Sequence, residues 1–114
     1  MLKHLIKTSA SSGGDTTITV DGTTYQVFYL QVVASDNSLA VFNIRITGGS
    51  TGGEVHLLTY RSNNVVADAG FSISADDVVY LDGKEFYEAG DTLAMYATEA
   101  GITVEVFGDY SATA

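Results

Sequence analysis

Apolar and polar residues alternate with a period of two along most of this chain, and no window carries the 3.6-residue recurrence of an amphipathic helix. Over residues 39–47 the alternation is regular. Ala40, Phe42, Ile44 and Ile46 are expected to point inward, and Asn43, Arg45 and Thr47 outward. Upstream, residues 16–20 and 23–33 flank Asp21-Gly22, a pair that accepts the positive φ angles of a type I′ hairpin turn. In the longer run Tyr25, Val27, Tyr29, Gln31 and Val33 share one face, and Gln26, Phe28, Leu30 and Val32 share the other. Both faces are largely apolar, so the strand is expected to be central or covered by a partner. Ser35-Asp36-Asn37-Ser38 and Ser62-Asn63-Asn64 mark turns, and further strands are predicted over residues 54–61, 65–67 and 71–74. Gly48-Gly49-Ser50-Thr51-Gly52-Gly53 reads as the most flexible stretch and an exposed loop tip.

Residues 78–109 divide into four apolar or alternating runs at Asp82-Gly83, Ala89-Gly90-Asp91 and Glu99-Ala100-Gly101. Asp82-Gly83 repeats the hairpin signal of Asp21-Gly22, and Gly90 and Gly101 can supply left-handed residues to the later turns. The block predicts a C-terminal four-stranded antiparallel meander. With eight or more short strands and no helix, the fold class is all-β, a single antiparallel β-sandwich or jelly roll. The sandwich is expected to occupy residues 16–114. Residues 1–15 precede it as an N-terminal arm and flexible linker. In that region residues 2–7 are apolar and basic, an edge strand or a docking arm, and residues 8–15 (TSASSGGD) read as a loop.

Composition narrows the function classes. A chain of 114 residues is one domain by size, and without cysteine it has neither disulfides nor thiolate metal sites. The net charge of −9 argues against a nucleic-acid partner, because Lys3, Lys7, Arg45, Arg61 and Lys84 form no basic run. No apolar segment is long enough to cross a bilayer, so no membrane partner is expected. The N-terminal apolar run breaks at Lys7, before a signal-peptide core could form, and no cleavable leader is expected.

Chemistry-bearing residues are sparse. His4 and His56 lack any ligand motif. Asp76, Asp77, Asp82, Glu85, Glu88 and Asp91 could suggest calcium. They lack a metal-loop spacing, however, and several fall where Asp stabilises turns by local hydrogen bonding. A carboxylate pair could serve a glycosidase, but the chain leaves little to build a deep cleft. Phosphate-loop and nucleophile-elbow motifs are absent. The seven tyrosines offer one further possibility, a sugar-stacking face with Tyr25 beside Tyr29 and Tyr60 beside His56. The reading is therefore non-enzymatic, with no catalytic residue, metal or cofactor.

The segment LDGKEFYEAGDTLAMYATEAGITVEVFGDYSA resembles the C-terminal part of small bacteriophage virion structural proteins, through its Asp-Gly turn at Leu81 to Gly83, Ala-Gly-Asp turn at Ala89 to Asp91, Ala-rich strand and Gly-closed Val-rich strand. The likeness spans about two thirds of the chain, and its specific part is the last third. It implies a β-sandwich or jelly-roll particle protein, either capsid-decorating or cementing or tail-associated, and transfers no catalytic residue. The expectation is a homotrimer bound to the major capsid protein at the capsid surface of the virion, soluble in the host cytoplasm before assembly. Candidate capsid or subunit contacts are Leu2, Lys3, Leu5, Ile6 and Lys7 of the arm, with Tyr25 and Tyr29. The alternatives are a tail, neck or fibre-associated virion protein, and a carbohydrate-binding module using Tyr25 and Tyr29.

Overall fold

The computed structural model describes residues 5–14 and 16–112, with the backbone alone for Leu5, Ile6, Gly83 and Lys84. Ten strands follow in order: β1 Leu5–Ser11, β2 Thr16–Val20, β3 Thr23–Val27, β4 Tyr29–Val32, β5 Asn37–Thr47, β6 Gly53–Arg61, β7 Asn64–Ile73, β8 Val78–Tyr87, β9 Asp91–Ala97 and β10 Thr103–Ala112. Eight of them form two four-stranded antiparallel sheets, β1-β10-β5-β8 (sheet I) and β4-β9-β6-β7 (sheet II), and β2-β3 is a separate hairpin. From β4 onward the chain crosses between sheets at every connection except the β6-β7 hairpin. This is the strand order of a jelly roll carrying one inserted hairpin. No helix is present among the described residues, so none there is long and apolar enough to cross a membrane.

The inner faces meet in one core. Leu39, Ile46, Val104 and Val106 from sheet I pack against Val55, Leu93 and Met95 from sheet II, with Ile102 closing one end. Burying such side chains contributes about 1.5–3 kcal/mol each, which makes this layer the main source of stability.

The all-β sandwich expected from the alternation is present, but its last third is not a meander. β8 and β10 belong to sheet I and β9 to sheet II. Turns at Gly90 and Gly101 form where predicted, with φ of 93° and 87°, yet each carries the chain from one sheet to the other. Asp82-Gly83 makes no turn at all. β8 runs through it, and the register against β5 steps from Asn43↔Asp82 to Val41↔Glu85. The dipeptide sits at a bulge, because an unbroken β5 offers ladder bonds on both sides of it. A matching irregularity in β5 displaces the inward phase, so the buried residues are Leu39, Val41, Ile44 and Ile46. Ala40 and Phe42, expected inward, are only half-buried, since one extra residue reverses the alternation.

Three further expectations change. Residues 23–33 are two strands, broken at Phe28, whose N–H donates to the Met95 carbonyl at 3.0 Å. Residues 65–73 belong to one continuous strand, β7, which ends before Ser74. The Gly-rich run 48–53 is a packed corner: Gly52 N–H donates to Gly48 O at 2.9 Å, and Asp76 N–H donates to Gly49 O at 2.7 Å. A Cβ on Gly52, whose φ is +69°, would lie 2.5 Å from the Ile73 carbonyl oxygen, so glycine here serves close backbone approach.

The N-terminal boundary moves as well. Residues 5–11 pair with β10 from Leu5↔Asp109 to Ser11↔Thr103, so they form an edge strand of the sandwich and not an arm or linker. Ser12 then fastens the next turn. Its hydroxyl donates to Glu99 O at 2.6 Å and accepts from Ile102 N–H at 2.9 Å.

Candidate functional site

The two outer faces of the sandwich are the surfaces on which side chains gather. On sheet I, β5 and β10 carry an ion cluster. Glu105 receives Arg45 on one carboxylate oxygen and Lys7 at 3.1 Å on the other, and the Lys7 ammonium lies 5.6 Å from the centre of the Phe107 ring. The two bases are substantially exposed, so these pairs contribute little to stability. Beside them edge strand β8 holds Val78, Tyr80 and Phe86 in solvent, Tyr80 at 63% and Phe86 at 73% of full exposure. The register sets Tyr80 opposite Arg45 and Phe86 opposite Ala40. Large apolar side chains thus stand in solvent beside a compact charge cluster on this face.

The outer face of sheet II is closed by the inserted hairpin. Asp21 and Gly22 take φ of 50° and 78°, the turn that the dipeptide predicts. The hairpin lays Val27 over Leu58 and Ala94, with Ile18, Tyr25, Tyr60 and Tyr96 around them. Its tip is tethered by the Asp21 N–H donating to Asn63 Oδ1 at 2.7 Å. Tyr25 meets Tyr96 at 5.3 Å, and His56 stacks on the other side of this group, 4.5 Å from Tyr96 and 3° from parallel. The His56 nitrogens pair with Glu54 Oε1 at 2.5 Å and Asp68 Oδ1 at 3.1 Å, while the Tyr96 hydroxyl donates to Asp68 Oδ2 at 2.6 Å. Burial, and next the bond to Asp68, push the Tyr96 hydroxyl well above the usual tyrosine range. Gly70 makes room for the imidazole, since a Cβ there would fall 2.5 Å from it.

This geometry sorts the residues singled out by sequence. Leu2, Lys3 and His4 lie outside the described residues. Leu5 and Ile6 belong to β1, and Lys7 holds Glu105. Tyr29 is a correction: it is 4% exposed, inside the core, and offers no contact surface. Tyr25 lies on the opposite face of sheet II, because the bend at Phe28 turns Val27 outward and Tyr29 inward. The Tyr25–Tyr29 platform therefore does not exist, and His56 and Tyr96 cover each other. The carboxylates serve local structure. Asp91 takes Arg61 at 2.6 Å and the Glu88 N–H at 2.8 Å, and Asp77 accepts from the Val78 N–H. Among the described residues no three His, Asp or Glu side chains are arranged to hold a metal ion. Tyr80 and Phe86 had no distinguishing signal in the sequence. Their period-two position marks a side of β8, but which side faces solvent depends on the partner sheet.

No family model and no curated protein matches this chain. Solved structures do share its shape. A Podospora anserina GH26-CBM35 β-(1,4)-mannanase aligns over 99% of this chain at 13% identity with a TM-score of 0.51, and the chain spans 29% of that protein's length. A Bacillus endospore appendage pilus protein aligns over 100% of this chain and 93% of its own at 11% identity, TM-score 0.46. The CBM22-1 xylan-binding domain of a Paenibacillus barcinonensis protein aligns over 91% and 85% at 14% identity, TM-score 0.41. At these identities the likeness concerns the β-sandwich fold alone.

Proposed function

We propose that this chain is a non-enzymatic structural protein of a bacteriophage virion, decorating or cementing the capsid as a homotrimer through the outer face of sheet I. The observation that carries the reading is the row Val78, Tyr80 and Phe86 left in solvent along β8. Burying such side chains against another copy stabilises the pair by about 25 cal/mol per Å² of apolar surface. The main-chain edge of β8 offers further hydrogen bonds to an incoming strand. The virion-like C-terminal sequence supports placing this assembly on a phage particle.

In this reading Leu2 and Lys3, which with His4 precede β1 in the sequence, would supply apolar area and a salt-sensitive charge for the major capsid protein. Because residues 5–7 are sandwich residues, the truncation that isolates this contact removes residues 1–4. Mass spectrometry and electron microscopy of purified virions test the proposal. Detection of the chain on the shell is the expected result. Density at the tail, neck or a fibre transfers the role to that location, and absence from virions overturns the proposal. Carbohydrate binding through Tyr25 and Tyr29 has no supporting geometry, since the two rings lie on opposite faces of sheet II.

A further inference from the structure

Sheets I and II part where their edge strands β8 and β7 face one another, and a cleft of about 230 Å³ opens there. Ala67 and Ala69 lie on the face of β7 from which Phe71 and Ile73 reach the core. Their small side chains leave open the space that larger ones fill further along the strand. Buried Val41 and Ile44 line the cleft from sheet I, with Leu57 and Leu81 half-buried at its walls. Its polar groups are Thr59, Tyr87, Asp82 and Glu85. Asp82 and Glu85 flank the bulge in β8, so both reach the cleft although an unbroken strand would send them to opposite faces. Both are exposed and form the mouth, and Glu85 Oε2 accepts from the Tyr87 hydroxyl at 3.3 Å.

An apolar cleft rimmed by two carboxylates selects its occupant by charge. An acidic group would meet like charges, and a purely aliphatic one would strip water from Asp82 and Glu85 without pairing them. A lysine or arginine side chain satisfies both halves, with its methylene stem on Leu57 and Leu81 and its charged head on the carboxylates. The described bases of this chain are held elsewhere: Lys7 and Arg45 by Glu105, and Arg61 by Asp91. With a net charge of −9, a second copy is a poor source of the cation, which points to a basic segment of another protein. The backbone beside the cleft suits such a segment. β7 is the outermost strand of sheet II and contains no proline. Its one charged residue, Asp68, is turned to the outer-face cluster with His56 and Tyr96, and Val65 and Val66 stay exposed along it. A strand added to this edge would place alternate side chains over the cleft, facing β8.

We propose that the β7 edge and the adjoining cleft bind an extended basic segment of another protein, one lysine or arginine entering between Asp82 and Glu85. This contact is separate from the outer face of sheet I and does not depend on the particle role. The test is an amide NMR titration of the full chain with the end-blocked heptapeptide Ser-Val-Thr-Lys-Thr-Val-Ser. Versions carrying arginine, norleucine or glutamate in place of the lysine are compared with it, and butylammonium chloride reports on a free amine. The lysine or arginine peptide is expected to shift amides of β7 and of residues 81–87, binding about tenfold more tightly than the norleucine peptide. The glutamate peptide should leave them unmoved. Asp82→Asn combined with Glu85→Gln should bring the cationic peptides down to the level of the norleucine peptide, which a loss of fold would not do. Ala69→Leu, which fills the cleft, should weaken all of them, whereas Tyr80→Ser with Phe86→Ser on the outer face should leave binding unchanged. The proposal is overturned if no cationic peptide shifts these amides, if the norleucine or glutamate peptide binds as well, or if the preference survives removal of both carboxylates. Butylammonium binding as tightly as the peptide would overturn it too. So would a change in sedimentation of the chain on removing the carboxylates, because a second copy would then be the occupant.

Discussion

On the outer face of sheet II, Leu58 and Ala94 are fully buried beneath the hairpin β2-β3, whereas on the outer face of sheet I, Tyr80 and Phe86 stand in solvent. Both faces begin from strands with apolar residues at outward positions. They differ because the insertion between β1 and β4 folds back over one sheet and leaves the other bare. An outward apolar residue can be covered by its own chain or by another molecule. Here the first solution contributes to the stability of the monomer, and the second is available for assembly.

The sharpest way to break the comparison is Leu58→Ala. It empties the space beneath Val27 and should destabilise the domain by about 2–5 kcal/mol in urea denaturation. A cost below about 1 kcal/mol would mean that the hairpin is not packed as a cover. A smaller effect concerns pH. Tyr96 on the covered face is held protonated by burial and by its bond to Asp68, and burial pushes core Tyr29 and Tyr87 to about 12. The unfolded chain ionises these groups near pH 10, so their contribution is complete below that pH and is lost as pH climbs through the raised folded values. Thermal melts should therefore fall steeply between about pH 10 and 12. Tyr96→Phe should flatten part of that slope, and an unchanged slope would exclude the tyrosine from it. The smallest stability effect belongs to the bare face. Tyr80→Ser combined with Phe86→Ser should alter monomer stability by no more than about 0.5 kcal/mol per site, while shifting sedimentation of the proposed trimer toward monomer. Retention of the same oligomer would show that this face is not the contact.

Legibility followed the range of the interaction. Asp21-Gly22 makes the turn that its dipeptide allows, and Asp82-Gly83 does not, although the local signal is the same. The first pair joins two five-residue strands that bond only to each other. The second lies opposite the eleven-residue β5, where continuing the ladder satisfies more backbone groups than reversing the chain. Tyr29 shows the same limit. Its residue type and spacing match Tyr25, and only the bend at Phe28 decides that one enters the core and the other the outer cluster. Nor could the exposed row on β8 be read locally, since it depends on β8 lying at the unpaired edge of its sheet.

What the amino-acid order determined by itself was local. It set the period of two, the absence of helix, the turns at Gly22, Gly90 and Gly101, and the all-β class, because each depends on φ preferences and on neighbours within a few residues. Tertiary structure alone decided which strands pair, which apolar face is covered, where a bulge replaces a turn, and which tyrosine enters the core. Those outcomes rest on contacts between residues far apart in the chain, where the burial of whole sheet faces outweighs the preference of any single dipeptide.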